Sequence, residues 1–239
     1  MEQPNGSDPT ILSSHFQEMV DAYFTIRYRY EAALKEIKTK LEIMDSEFEV
    51  QHQRNPIHHL KTRLKTTKSI WDKLKRKNIL PSLSSAVENI FDIAGIRVVC
   101  SYVEDVYYVA RMLASHDDVQ VIRVKDYIKE PKSNGYRSLH MIIEVPIFLS
   151  GGKEIIPVEV QIRTIAMDLW ASLEHHLRYK GASTLPREVE MELSSTAADL
   201  MFLDERMQKL LAKVEKLPDH YDEIQTETGT PIPLSLSDD

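Results

Sequence analysis

The sequence predicts an α+β fold, a central mixed sheet of about four or five strands flanked by helices, with a long helix at each end. Three observations predict it. Apolar residues recur every three or four positions over the first fifty residues, the period falls to two between about residues 96 and 163, and the helical period returns after residue 164.

Phe16, Met19, Val20, Tyr23, Ile26, Tyr30, Leu34, Ile37, Leu41, Met44 and Phe48 lie on one helical stripe, which predicts one long helix or a pair over 11–53. A second helix is expected over about 62–77, and a short one over 84–89 after Pro81-Ser82. Ile96, Val98 and Cys100 alternate with Arg97 and Val99, giving the first strand, and Val106, Val109, Ala110 and Leu113 mark a helix behind it. Strands are then expected over 119–125, 137–145 and 155–163, with a polar loop at 130–135 and the Gly151-Gly152 pair as the last turn. Thr164 caps a helix carrying Ile165, Leu169, Leu173 and Leu177, with Gly181 at its end, and a last helix spans about 186–217. Residues 1–10 are expected to be disordered, 11–217 to form a single domain, and 218–239 to be an acidic, disordered tail.

With 42% hydrophobic and 28% charged residues, the 239-residue chain has the composition of an ordinary globular protein. The net charge of −7 argues against a nonspecific polyanion binder, since phosphate backbones reward a basic surface. That charge is unevenly placed. Residues 54–80 hold nine Lys or Arg against one acid, whereas 185–239 hold thirteen acids against five bases. A lone Cys100 forms no internal disulfide and no thiolate zinc site, and no apolar run reaches the roughly 18 residues of a membrane helix. The polar N-terminus is unlike a leader peptide, so no membrane partner and a cytoplasmic location are expected.

Chemistry concentrates on the strands. In 158–163, Val158, Val160 and Ile162 face a core, while Glu159, Gln161 and Arg163 share the other face. A half-exposed strand in solvent has the same alternation. Asp92, however, stands at the mouth of another strand five residues before Arg97, and two acids from separate strands suit Mg²⁺, which takes one or two carboxylates with phosphates and water. Arg63, Lys65 and Lys73 of the basic segment, with Arg97, Arg123 and Lys125, supply a cationic wall. A solvated helix face would look similar, but cations and acids arising from the same elements fit a polyphosphate with its metal. In the loop, Lys132, Tyr136 and His140 bracket an Asn-Gly turn, and an aromatic beside cations suits a nucleobase. His116-Asp117, His58-His59 and His175-His176 lack companion ligands and read as surface or packing residues.

Taken together, Arg63-Leu64-Lys65 with Lys73, Asp92-Ile93-Ala94-Gly95-Ile96-Arg97, Arg123-Val124-Lys125-Asp126, Pro131-Lys132 with Asn134-Gly135-Tyr136-Arg137-Ser138-Leu139-His140, Glu159-Val160-Gln161-Ile162-Arg163-Thr164 and Trp170-Ala171-Ser172-Leu173-Glu174-His175 resemble the synthetase domain of the RelA/SpoT family. The likeness runs from about residue 56 to 180 and is greatest to the small single-domain alarmone synthetases of bacteria. It implies transfer of the β,γ-pyrophosphate of ATP to the 3′-hydroxyl of GDP or GTP, giving AMP and (p)ppGpp in the stress response. It further implies that Asp92 and Glu159 hold Mg²⁺ and that Glu159 is the base. Arg63 and Arg97 would sandwich adenine, and Lys65, Lys73, Arg123 and Lys125 would steady the ATP phosphates. Tyr136 would stack on guanine, with Lys132, Asn134, His140 and Gln161 fixing that nucleotide. The basic Arg123-Val124-Lys125-Asp126 motif favours a one-metal site in this family, and a homotetramer through the terminal helices is implied, with Tyr23, Ile26, Tyr30, Leu200, Leu203 and Met207 as apolar stripes. No hydrolase activity is expected. The same residues are compatible with two other functions, a nucleotidyltransferase with another acceptor and an RNA-binding module using the basic segment and Tyr136; the paired acids disfavour the latter, because they repel phosphates without a metal.

Overall fold

The protein is described by a computed structural model covering residues 9–180 and 185–217, with the side chains of 9–22, 25, 179 and 180 outside the description. The expected termination at Gly181 and the tail beyond residue 217 fall outside it as well. The element order is α1 (Pro9–His52), β1 (Ile57–Leu64), α2 (Thr67–Arg76), α3 (Leu83–Asn89), β2 (Ala94–Cys100), α4 (Val103–Ala114), β3 (Gln120–Asp126), β4 (Leu139–Leu149), β5 (Gly152–Thr164), α5 (Ile165–Lys180) and α6 (Arg187–Val214).

The five strands form one mixed sheet in the order β1-β2-β5-β4-β3, with β2 and β5 parallel and the other pairs antiparallel. Its strands obey the period of two. Ala94, Ile96, Val98 and Cys100 of β2, Leu139, Met141, Ile143 and Val145 of β4, and Val158, Val160 and Ile162 of β5 are all buried in one core. Helices α1 and α4 cover that face: Tyr30, Ala33, Leu34, Ile37, Leu41 and Met44 of α1 and Val106, Val109, Ala110 and Leu113 of α4 belong to the same cluster. Each large aliphatic side chain taken fully out of water contributes ~1.5–3 kcal/mol, so this face alone can anchor the sheet.

The strand β1 corrects the sequence expectation. Arg63 stands on an edge strand and Lys65 just beyond it, and only Lys73 is on a helix, α2, which starts at Thr67 after the Thr66 cap. The cause is local: β1 is buried only at Ile57 and exposed at most other positions, so it lacks an apolar stripe. Thr164 does cap α5, its hydroxyl oxygen accepting from Met167 N at 3.1 Å, and it donates in turn to the buried Asp204 at 2.7 Å. Tyr30 is 2% exposed and belongs to the core, not to a surface stripe. The stripes that do face outward are Ile165, Leu169, Leu173 and Leu177 on α5 and Leu203, Met207, Leu210 and Val214 on α6.

The second face of the sheet is polar, and register makes it a site. Lys61, Arg97, Gln161, His140 and Lys125 are partners across successive strands, and so, two residues along, are Arg63, Gly95, Glu159, Ile142 and Arg123. Residues paired in register point to the same side of a pleated sheet, so all of these side chains rise from one surface, with Gly95 leaving a gap among them.

Candidate active site

A cavity of about 180 Å³ opens on this face, lined by Lys61, Arg63, Lys65, Asp92, Gly95, Ile96, Arg97, Glu159 and Gln161. Asp92 lies in the turn ahead of β2. One of its oxygens, Oδ2, accepts from Lys65 Nζ at 2.6 Å and from Lys73 Nζ at 2.7 Å, while buried Oδ1 has no hydrogen-bond partner among the described residues. Burial pushes the Asp92 carboxyl upward, but the two ammonium groups outweigh it and hold the group below its ordinary value.

Glu159 stands in the middle of β5. Burial acts against its charge, yet the donors His140 and Gln161 keep its carboxyl below the usual range. Gln161 Nε2 donates to Glu159 Oε2 at 2.8 Å, and His140 Nδ1 is 3.4 Å from Oε1. Both acids are therefore carboxylates at neutral pH, and Asp92 is close enough to raise the cost of charging Glu159. A free buried carboxylate oxygen beside a second carboxylate is a fit for a hard cation. Among the described residues no three His, Cys, Asp or Glu side chains cluster as a complete protein cage, so any such ion must draw its remaining ligands from water or phosphate.

On the far side of Glu159 lies an aromatic cluster. Tyr127, Tyr136 and His140 pack edge to face, with Lys132 Nζ 4.5 Å above the Tyr136 ring and 4.7 Å from that of Tyr127. Asn134 Nδ2 donates to Glu174 of α5, and its Oδ1 accepts from Tyr136 N, so this side chain shapes the loop. Gly135 is required there: its φ is +88°, and a Cβ would fall 2.5 Å from that of Ala197 on α6.

The arrangement thus joins a cationic cavity and an aromatic cluster through Glu159, on one surface of one sheet. A profile described as "Region found in RelA / SpoT proteins" matches residues 62–184. The chain is also 44% identical over 186 residues to GTP pyrophosphokinase YwaC of Bacillus subtilis (strain 168), covering 78% of this chain and 89% of that protein. The chain belongs to the RelA/SpoT family. Among solved structures, the small alarmone synthetase 2 of Bacillus subtilis superposes with a TM-score of 0.73 at 42% identity, over 80% of this chain and 98% of that one. The small alarmone synthetase 1 of the same organism, bound to its product pppGpp, does so with a TM-score of 0.72 at 35% identity, over 78% and 95%.

Within this RelA/SpoT chain, the structure gathers Arg63, Lys65, Arg97, Asp92, Glu159 and Gln161 around one cavity, with Lys73 on its rim through Asp92. It does not bring Arg123 and Lys125 there. They share the polar face, but β3 is the opposite edge strand, two spacings or about 10 Å beyond the cavity's β5 wall and four or about 19 Å from β1. The expected cationic wall is therefore split in two, and its lysines at 65 and 73 are engaged by Asp92. Two participants escaped the sequence reading as site residues, Arg163 and Asp168. Asp168 Oδ1 lies 3.0 Å from Arg97 Nη1 and 3.3 Å from Arg163 Nη1. An acid in the first turn of a helix complements the helix dipole, which is the ordinary reading of such a residue from sequence. Cys100 is buried and its thiol is pushed far up by burial, so it is no nucleophile.

Proposed function

We propose that this protein is a (p)ppGpp synthetase that moves the β,γ-pyrophosphate of ATP to the 3′-hydroxyl of GDP or GTP. The single observation that carries the reading is the carboxylate pair, Asp92 and Glu159, set between a cationic cavity and an aromatic cluster on one sheet face. The relatives named GTP pyrophosphokinase and small alarmone synthetase support it. Residues 11–217 act as a single synthetase domain.

ATP enters beside β1 and β2. Arg63 and Arg97 are diagonal neighbours on antiparallel strands, a spacing of about 7–8 Å, which is the gap two guanidinium planes need to hold an adenine between them. Lys65 and Lys73 leave Asp92 for the phosphates, and Arg123 and Lys125 receive the part of the nucleotide pair that extends across the sheet. Guanine stacks on Tyr136 once Lys132 turns from that ring to a phosphate, and Asn134, His140 and Gln161 border the same nucleotide. Asp92 and Glu159 are the residues that would hold Mg²⁺, which when bound supplies charge neutralisation at the phosphates. Glu159 takes the proton of the 3′-hydroxyl as the oxygen bonds to Pβ, and the bond from Pβ to the bridging α-oxygen breaks to release AMP. No covalent intermediate with the protein is needed; positioning and charge carry the rate.

The acceptor atom offers a direct test. A 3′-deoxyguanosine nucleotide should bind yet leave ATP intact, and ATP consumption with it would overturn the reading. Tyr136→Ala should raise the KM for the guanosine nucleotide ~10-fold or more, from loss of ~1–3 kcal/mol of stacking, with the affinity for ATP kept. Gly95 floors the cavity between Arg63 and Glu159, and a Cβ there meets only ordinary contacts, 3.7 Å from Glu159 O and 3.9 Å from Arg63 O. Gly95→Ala is therefore expected to melt close to the wild type, while the methyl group intrudes on the cavity floor and weakens ATP binding measured by calorimetry.

The outward stripes of α5 and α6 suit a homo-oligomer, a homotetramer in the family pattern. Sedimentation should give a mass above that of one chain, and Leu173→Glu should lower it; a monomeric wild type would contradict this part of the account.

A further inference from the structure

Arg163 is 2% exposed and the chemistry above does not use it. A guanidinium withdrawn from water is costly unless its donors are matched, so its partners carry information. Its Nη1 faces Asp168 Oδ1 at 3.3 Å, and its Nη2 donates to Gln161 Oε1 at 2.8 Å and to Tyr136 Oη at 2.9 Å. Both of the last two lead to the same carboxylate. Gln161 Nε2 donates to Glu159 Oε2 at 2.8 Å, while Tyr136 Oη lies 2.7 Å from His140 Nε2, whose Nδ1 is 3.4 Å from Glu159 Oε1. Arg163, Gln161, Glu159, His140 and Tyr136 therefore form a ring, hydrogen-bonded at every step except the longer 3.4 Å approach of His140 to Glu159.

An arginine only donates and a carboxylate only accepts, and those two facts orient every bond between them. Gln161 must turn its carbonyl to Arg163, which leaves its amide nitrogen for Glu159. The Tyr136 oxygen accepts from Arg163, which favours sending its own proton to His140 Nε2. Neutral His140 then carries its proton on Nδ1, facing Glu159. Gln161 donates to one oxygen of the carboxylate, and His140 Nδ1 stands 3.4 Å from the other.

We infer that Arg163 is a positioning residue that sets the hydrogen-bond direction of this ring and thereby holds Glu159 as an oriented acceptor toward the reacting hydroxyl. The inference rests on reading Glu159 as the base of the transfer. Asp168 extends the device: it is the counter-ion of Arg163 and of Arg97 together, so one carboxylate ties the acceptor ring to the adenine side of the cavity. Without Arg163, the Gln161 amide is free to flip and set its oxygen against that of Glu159, and Tyr136 and His140 can reverse their bond.

Nitrogen-15 NMR of the imidazoles, in nucleotide-free protein at a pH where histidine is neutral, tests this directly, with His140 assigned by its loss in His140→Gln. The wild type should show the Nδ1-H tautomer for His140. Arg163→Met should populate the Nε2-H tautomer and lower kcat roughly 100-fold, as a displaced catalytic group does, with the calorimetric Kd for ATP within about threefold of wild type. Arg163→Lys, which keeps a donor, should restore most of the tautomer and part of kcat. An Nε2-H tautomer in the wild type overturns the proposal even if no variant folds. So does a folded Arg163→Met protein with an unchanged tautomer or an unchanged kcat. Full turnover by Glu159→Gln would instead sink the base assignment and leave the tautomer result standing, so the two failures are separable.

Discussion

Glu159→Gln is expected to bind ATP and the guanosine nucleotide nearly as well as the wild type and to lose turnover by about 1,000-fold, which corresponds to about 4 kcal/mol of transition-state stabilisation. The glutamine keeps the shape of the side chain and can still receive the donated bond from Gln161, so the pocket remains assembled. What disappears is the acceptor for the hydroxyl proton. A 3′-hydroxyl at its ordinary pKa is a poor nucleophile, and a neutral amide cannot relieve it of a proton. The split between retained binding, measured by calorimetry, and lost kcat is the signature to look for. Loss of binding with unchanged kcat would point to a ligand-holding role alone.

Asp92→Asn should be nearly as damaging, through a different route. Asp92 presents a buried Oδ1 without a partner among the described residues and an Oδ2 shared by Lys65 and Lys73. An asparagine leaves both lysines without a counter-charge and removes half of the carboxylate pair. Turnover at ordinary magnesium should fall by more than the ~10–100-fold typical of an outer-sphere partner, and should be partly restored by raising magnesium. Stability should move the other way at low pH. The carboxyl is held below its unfolded value, so its pairing stabilises the fold above that value and is lost as pH falls through the native one. The melting temperature of Asp92→Asn should accordingly fall less steeply than that of wild type below the ordinary carboxylate pKa. Lys65 and Lys73 keep only 17% and 30% of their side-chain surface in water, so Asp92→Asn, which leaves two part-buried cations without a counter-charge, should also lower the melting temperature at neutral pH. Equal turnover with and without the carboxylate would remove Asp92 from the site.

Much of this was legible in the sequence because the sheet obeys its own period. Val158, Val160 and Ile162 announce which face of β5 is core, and that alone places Glu159, Gln161 and Arg163 together on the other. The strand β1 was hidden for a physical reason. As an exposed edge it carries no apolar stripe, and its cations run straight into those of α2, so the segment reads as one basic helix. A signal was present all the same: Lys61, Arg63 and Lys65 alternate with Leu60, Thr62 and Leu64, the strand period written in charge. The separation of Arg123 and Lys125 from the other cations depends on strand order, which no single-strand pattern encodes. The parts played by Arg163 and Asp168 depend on contacts between β5, α5 and the loop at 132–136, and become visible only when those elements are packed together.

The central claim is that one sheet face joins two nucleotides for pyrophosphoryl transfer. It is tested most directly by following label from ATP in the presence of magnesium and GDP or GTP. Phosphorus label at the γ-position should appear in a guanosine nucleotide bearing a 3′-pyrophosphate, while label at the α-position should remain in AMP. Release of γ-label as free pyrophosphate, with α-label joined to an acceptor, would mean nucleotidyl transfer and would contradict the account.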